Sequence, residues 1–413
     1  RPADEMPVSV SVIAGDEIRE SAQQHFEELV SRVPNLNWSG DGHRARYFQI
    51  RGIGELEQYE GAPNPSVGFL IDDIDFSGIG TVATLFDMES VEVLRGPQGS
   101  RYGANALAGL IYLRSQAPSA ERNGRLRLTV GDDDARTLGV AFGGAMNDDE
   151  SALYRVSAHK HESNGFRDNP FLGRKDTNGR DETSVRLRAQ FVANDDLDVN
   201  VAAMYMDVDN GYDAFALDNS YTMLSDKPGK DAQESAGMSL RADWRGAAAG
   251  TLTSITSFAD SQVDFSFDAD WGNEDSWSPV TYDYVSLTDR KRTTVSQEFR
   301  FVADNWLVGA YALHLSEDLD RADTGDYYDP FYDFADTLDY AFSSEFESTN
   351  LAVFGQADWA LGERTRLSAG VRLEHRTTDY SDTDGLDEGP SETMWGGEIS
   401  LQHDLSADVL SYM

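Results

Sequence analysis

Two groups of residues in this sequence have the types and spacing to do chemistry. The first sets aromatic rings among carboxylates. Trp271 and Trp277 stand beside Asp268, Asp270, Glu274 and Asp275. The stretch 318–345 interleaves Tyr327, Tyr328, Phe331, Tyr332, Phe334, Tyr340 and Phe342 with acidic residues, and Arg321 is its only base. Aromatic faces in an acidic field suit a cationic or sugar-like ligand, and the carboxylate oxygens suit loop-bound Ca²⁺; no other cofactor is expected. The second group is a pair of arginines, Arg51 and Arg95, each followed by a glycine. His159 and His161 share one strand face, but inward histidines serve more often as polar wall residues than as metal ligands, and no metal site is expected. The acidic run at 207–213 falls out of register with a calcium-binding helix-loop-helix. No nucleophile, base and orienting acid occur at a recognisable spacing, so catalysis has no support.

The glycines of EVLRGPQGSRYGANALAGLIYLRSQAP, residues 92–118, invite a phosphate-loop reading. A phosphate loop opens onto a helix and is followed by a lysine and a hydroxyl at fixed spacing. After Gly96, Gly99 and Gly103 the chain instead reads Leu107, Gly109, Leu110, Ile111, Tyr112, Leu113, a short run of β-formers. A tight turn between two strands is the better reading.

These groups sit in a chain of 413 residues with no cysteine and a formal charge of −39, from 73 acidic and 34 basic residues. Nucleic-acid binding by counterion release is excluded in practice by that charge. No apolar run is long enough for a membrane-spanning helix, which leaves a β-barrel open, because barrel strands alternate apolar and polar residues.

The elements change in texture near 118–124. Before it, PVSVSVIAG alternates as a strand, and residues 15–34 read as one helix, with Asp16 as cap, Phe26, Leu29, Val30 and Val33 as its apolar set and Pro34 as terminator. After it, segments of period two recur: Leu126, Leu128 and Val130 alternate with Arg125 and Arg127, and Val185, Leu187, Ala189 and Phe191 with Arg186, Arg188 and Gln190. The connections alternate between tight turns and long loops, the latter at 162–182, 209–235, 262–292, 318–345 and 379–392. Short turns at one end and long loops at the other are the pattern of an outer-membrane barrel.

The N-terminal block resembles the plug of TonB-dependent outer-membrane receptors. The resemblance rests on PVSVSVIAGDEI, ELVSRVPNL, FQIRGIG, NPSVGFLIDDI and VEVLRGPQGSRYGANALAGLIYLRSQAP, and farther on SQEFRF, VFGQADWAL and LSAGVRLEH look like the family's barrel strands. It implies a mostly β protein: an α/β plug over 1–118 inside a transmembrane antiparallel barrel over 122–413, in the outer membrane of a Gram-negative bacterium. It also implies active import of a scarce solute, energised by the TonB–ExbB–ExbD complex. A ferric siderophore is the default substrate, with cobalamin, an oligosaccharide or an adhesin-like role as alternatives, and the acidic loops argue against an anionic chelate. About 12–13 strands are legible against about 22 in plugged transporters, which reads as a truncation within the barrel, and the TonB-contacting segment is expected upstream of Arg1.

The expected substrate-binding set is Tyr59, Phe76, Tyr212, Phe215, Trp271, Trp277, Tyr327, Tyr328, Phe331 and Tyr332. By resemblance, Arg51 and Arg95 pair with Glu298 and Glu374 on the barrel wall and lock the plug. Pairing within the plug is the alternative, since a buried arginine needs an acceptor either way.

Overall fold

The structure, a computed structural model, describes residues 9–21, 23–40, 42–56, 62–63, 66–96, 108–247, 249–406 and 409–412. In the N-terminal region, short β-rich runs form β1 (Ser9–Ala14), β2 (Leu36–Ser39), β3 (Tyr47–Ile50), β4 (Val67–Ile71), β5 (Ile74–Asp75), β6 (Met88–Arg95) and β7 (Gly109–Ser115). Five of them make one sheet in the order β1-β6-β7-β4-β5, with β4 and β7 parallel, while β2 and β3 pair as a separate hairpin. Gly96 leaves β6 with φ +110, a conformation that favours glycine, and β7 confirms a strand after the glycine-rich stretch. Gly99, Gly103 and Leu107 lie outside the described residues.

The helix expected over 15–34 is two pieces: α1 (Gly15–Glu20) and a 3₁₀ segment at Phe26–Arg32. Extended backbone at His25 (φ −128) separates them, and the His25 ring accepts the Glu27 N–H as a cap. Asp16 lies in the first turn of α1 and pairs with Arg19 instead of capping. The apolar set is as read: Phe26, Leu29, Val30 and Val33 are buried. Phe48 stacks on Phe69 at 5.3 Å and meets Phe26 edge-on at 5.2 Å, forming the centre of the plug core.

From Asn123 onward the chain is a single meander. Its strands are β8 (Asn123–Val130), β9 (Arg136–Ala145), β10 (Ala152–Ser163), β11 (Arg180–Asn194), β12 (Leu197–Tyr212), β13 (Gly229–Ala247) and β14 (Gly250–Asp268). They continue as β15 (Thr281–Val302), β16 (Trp306–Asp329), β17 (Phe334–Ala360), β18 (Thr365–Asp382), β19 (Asp387–Glu388), β20 (Ser391–Ser406) and β21 (Val409–Tyr412). All are antiparallel to their neighbours in a 14-stranded sheet, in which the two-residue β19 pairs with β18 alone.

The two faces are inverted relative to a soluble sandwich. Leu128 is 72% and Val130 86% exposed, while Arg155, Arg186, Arg290 and Arg292 on inward positions are buried. Apolar outside and charged inside is stable only where lipid surrounds the sheet and polar partners fill the lumen. Trp244, Trp306 and Trp359 lie exposed beside the tight turns, as an interfacial aromatic belt.

One expectation needs correcting. Much of 262–292 and 318–345 is strand, not loop: β14 and β15 leave only 269–280 between them, and β16 and β17 only 330–333. β17 has 27 residues; at about 3.3 Å per residue and a tilt of about 40° it rises about 65 Å, against an apolar band of about 25 Å. The acidic aromatic stretch is therefore a ribbon standing clear of the apolar band.

The plug core is continuous with the wall through Met204, Met206, Val208, Ala259 and Val263. Two inward wall glycines admit plug rings. A Cβ on Gly139 would stand 2.5 Å from the Phe86 ring, and one on Gly237 would stand 2.9 Å from both Ile74 and Phe76. Phe86 is further held by stacking on His159 at 5.3 Å.

Candidate ligand-binding site

The β2–β3 hairpin carries a basic cluster, His43, Arg44 and Arg46, into the lumen. Arg44 is fully buried and divides its guanidinium between plug and wall: Nε and Nη2 donate to the two Glu182 oxygens at 2.7 and 2.8 Å, and Nη1 donates to Glu27 Oε1 at 2.8 Å. Asn210 also donates to Glu182, at 3.0 Å. Burial alone would raise the Glu27 carboxyl, but the adjacent His25 ring, the Arg44 charge and the Ala45 N–H hold it down at about 2. Asp231 on β13 takes Arg46, and it accepts the His43 N–H at 2.6 Å.

Wall arginines grip the plug from the other side. Arg155 forks onto Asp87 at 2.7 and 2.6 Å, Arg186 donates to the Phe86 and Thr84 carbonyls at 3.0 and 2.8 Å, and Arg188 donates to the Ser115 carbonyl at 2.8 Å. Planar five-donor guanidinium groups suit such buried multidentate contacts.

Above this layer, toward the long-loop end, a cavity of about 390 Å³ opens between the plug hairpin and strands β12 and β14–β16. Plug residues Gly40, Arg46 and Tyr47 form its floor, Tyr212, Phe215, Phe265 and Phe267 supply aromatic walls, and Arg290 and Arg321 complete a basic lining with no carboxylate. Arg290 donates to the Tyr47 hydroxyl at 2.7 Å and to the Gly78 carbonyl at 2.8 Å, and its Nε lies 3.8 Å from Glu317. Burial pushes the Tyr47 hydroxyl above its ordinary value, so it stays protonated. The three guanidinium groups reach the lining while their carboxylate partners stand outside it: Asp231 for Arg46, Glu317 at 3.8 Å for Arg290 and Asp323 at 2.7 Å for Arg321. The cavity's size is ordinary for a small-molecule site. A larger cavity of about 650 Å³ lies among the outer strand ends and long loops; it has no plug residue, no aromatic and mixed charges.

The expected binding residues separate accordingly. Tyr212 and Phe215 line the cavity, and Trp271 stacks on Phe215 at 5.1 Å and 18°. Trp271 holds φ +63, uncommon for an aromatic residue, and its N–H donates to Asp268. Phe76 belongs to the buried core. Trp277 donates to Asp270 at 3.3 Å and packs edge-on against Tyr282. Tyr327 packs against Tyr282 and Phe334, while Tyr328, Phe331 and Tyr332 are exposed near the ribbon tip, away from the cavity. Tyr59 lies outside the described residues.

The four residues expected to lock the plug are not brought together. Glu298 pairs with Arg300, and Glu374 with Arg372 at 2.7 Å, each two residues along its own strand. Arg95 donates to the Pro34 carbonyl at 3.1 Å, within the plug, and Arg51 is exposed at a turn with φ +54. The contacts fall to Arg44, Arg46, Asp87 and the wall arginines because those side chains lie at the plug surface facing β10, β11 and β13. The two wall histidines also serve the plug interface: His161 bonds Thr137, which Gln24 reaches at 3.1 Å. Asp270, in the acidic loop, accepts from Gly272, Trp277 and Tyr284, so it orders its own loop. Among the described residues no three carboxylate or imidazole groups converge as a cation-ligand set.

Residues 2–110 match the TonB-dependent Receptor Plug Domain family. The chain is 28% identical over 192 residues to the pesticin receptor of Yersinia pestis, covering 46% of this chain and 28% of that protein. It is 26% identical over 158 residues to the ferrioxamine B receptor of Salmonella typhimurium, covering 38% and 22%. Among solved structures, the ferric yersiniabactin uptake receptor FyuA from Yersinia pestis superposes with a TM-score of 0.80 at 20% identity, over 98% of this chain and 63% of that one. The siderophore receptor PiuA from Acinetobacter baumannii gives 0.72 at 14% identity, over 98% and 64%. The chain thus spans less than two thirds of each of these proteins.

Proposed function

We propose that this chain, which carries the plug of a TonB-dependent outer-membrane receptor within antiparallel barrel strands, takes up an anionic ferric chelate of the siderophore class. The carrying observation is the cavity lining: Arg46, Arg290 and Arg321 face four wall aromatics, and the carboxylates that pair with them, Asp231, Glu317 and Asp323, stand outside the lining. Guanidinium groups bind carboxylate or catecholate oxygens of a chelate, and the rings cover its flat apolar parts. The acidic loops, which as a sequence argue against such a ligand, lie outside this lining.

Release requires the floor to move, because Arg46 and Tyr47 belong to the plug. A ligand held at nanomolar affinity is bound by about 12 kcal/mol. Force from the TonB complex, transmitted along the plug, would withdraw that floor. The likeness to receptors whose names carry ferric yersiniabactin and ferrioxamine B supports an iron chelate, and the likeness to a vitamin B12 transporter is the ground for cobalamin as the second reading.

Tryptophan fluorescence of the purified protein tests the reading, since Trp271 stacks on the cavity wall. Anionic ferric chelates should quench it saturably at micromolar concentration or below, and cobalamin and neutral oligosaccharides should not. Saturable binding of a neutral oligosaccharide alone would refute the proposal.

A further inference from the structure

The ribbon formed by β16 and β17 carries an unused strand edge. β15 accompanies β16 as far as the pair Thr281 and Tyr328, so β16 is covered. β17 is paired to β16 up to Phe334 but joins β18 only from Ser344 and Asp382 inward. Residues 334–342 therefore have no strand partner on that side among the described residues.

The direction of the open groups follows from the neighbouring contacts. Ser343 uses its N–H and its carbonyl toward Thr383, at 3.0 Å each, so alternate residues outward from it face the same side. The Thr337 N–H on that side is taken by Asp336 at 3.0 Å. The backbones of Ala335, Asp339 and Ala341 face the open side. Across the gap stands Asp384, in the turn that follows β18, tied to the strand by Tyr340, whose hydroxyl donates to it at 3.3 Å. Residues 326–339 hold five aspartates and no base.

Charge of one sign along an edge discourages pairing with like edges. A second copy would bring aspartates against aspartates, which is unfavourable for directly opposed residues. An extended chain of opposite charge gains both the backbone ladder and the field.

We propose that the edge of β17 at 335–341 docks an extended, Lys- or Arg-rich polypeptide segment as an added strand. Its cationic side chains lie against Asp336, Asp339 and Asp384, with the Tyr327 and Phe334 rings at the outer end for cation–π contact. The site is independent of the chelate cavity.

The probe is a peptide of ten residues alternating Lys and Thr, in fluorescence anisotropy with the purified protein in detergent. It should bind at about 50 mM salt and weaken by about tenfold or more at about 300 mM, while a Glu–Thr peptide should not bind. N-methylation of alternate peptide nitrogens should weaken binding about tenfold or more, because it removes the ladder and keeps the charge. Ala341→Pro removes one open-side N–H without touching the bonds to β16 and should also weaken it about tenfold, with chelate quenching of Trp271 unchanged. Where that variant does not fold, the N-methylated peptide carries the test. Equal binding by the N-methylated peptide would overturn strand addition, and self-association of the peptide-free protein abolished by Ala341→Pro would assign the edge to a second copy.

Discussion

Arg44 gives the sharpest quantitative test of how the plug is held. It is the largest fully buried polar side chain, and it serves two buried carboxylates, Glu27 in the plug and Glu182 in the wall, each less than a tenth exposed, with the half-buried Glu28 farther off at 3.6 Å. Removing one partner of a buried ion pair costs about 3–5 kcal/mol, because the charge left behind is neither solvated nor paired. Glu182→Met leaves Arg44 still bonded to Glu27, so the low end applies, about 3 kcal/mol or about a hundredfold in the docked-to-undocked ratio. Arg44→Met takes the guanidinium from both carboxylates at once, leaving Glu182 with Asn210 and Glu27 with His25 and the Ala45 N–H, so the high end applies, about 5 kcal/mol. The double variant leaves Glu27 with His25 and replaces the wall pair by apolar volume, so it should be less damaged than Arg44→Met alone. Hydrogen exchange of residues 43–48, read by mass spectrometry on the purified protein, reports this opening free energy directly. If Glu182→Met opens the segment as much as Arg44→Met, or if the two changes simply add, Arg44 is not the shared cation and the account is wrong.

Three further outcomes follow. Glu27 has its carboxyl held at about 2 against an ordinary 4.5, so its ionised form contributes stability that is full above pH 4.5 and is lost as pH falls toward 2; that contribution is about 3 kcal/mol, read as an acid-side fall in plug exchange protection that Glu27→Gln removes. Arg290→Gln should weaken an anionic ferric chelate about tenfold to a hundredfold, the worth of a charged hydrogen bond, in the quenching titration; an unchanged affinity would remove Arg290 from the site. Gly237→Ala places a methyl against Ile74 and Phe76 and should destabilise the plug by about 1–3 kcal/mol in thermal unfolding, whereas Gly396→Ala, with open space around it, should not.

The barrel was legible because its signal is local. In VRLRAQF each residue declares its face by its neighbour two positions away, and no knowledge of partners is needed. The plug strands were legible for the same reason, while the helix over 15–34 was overread: its apolar spacing is right, but His25 leaves the helical conformation, and Gln24 reaches wall residue Thr137. The lock was illegible because it depends on which plug side chain meets which strand. Arg51 and Arg95 stand out by their glycines, yet turn geometry leaves Arg51 exposed and carries Arg95 to Pro34. One signal was available and unused: HRAR at 43–46 is a basic cluster in a chain of charge −39, directly before a strand that would lie in the lumen. The cavity combined Tyr212 and Phe215, which were named, with Arg290 and Arg321, whose alignment with Arg46 only the folded barrel provides. The exposed rings near the ribbon tip drew attention by composition, and their distance from the cavity could not be read without knowing that strands continue through them.

The two glycine recesses in the wall have a mechanical consequence. Phe86 sits over Gly139 and Phe76 over Gly237, and the next residues on the same face of each strand, Thr137 and Ala141, Ser235 and Ser239, carry the Cβ that the glycines lack. A ring in such a recess behaves as a detent: axial force alone presses it against the rim. The plug therefore cannot travel as a rigid piston; each ring must first swing inward, so the segments bearing Phe76 and Phe86 have to change shape before anything beneath the cavity can descend.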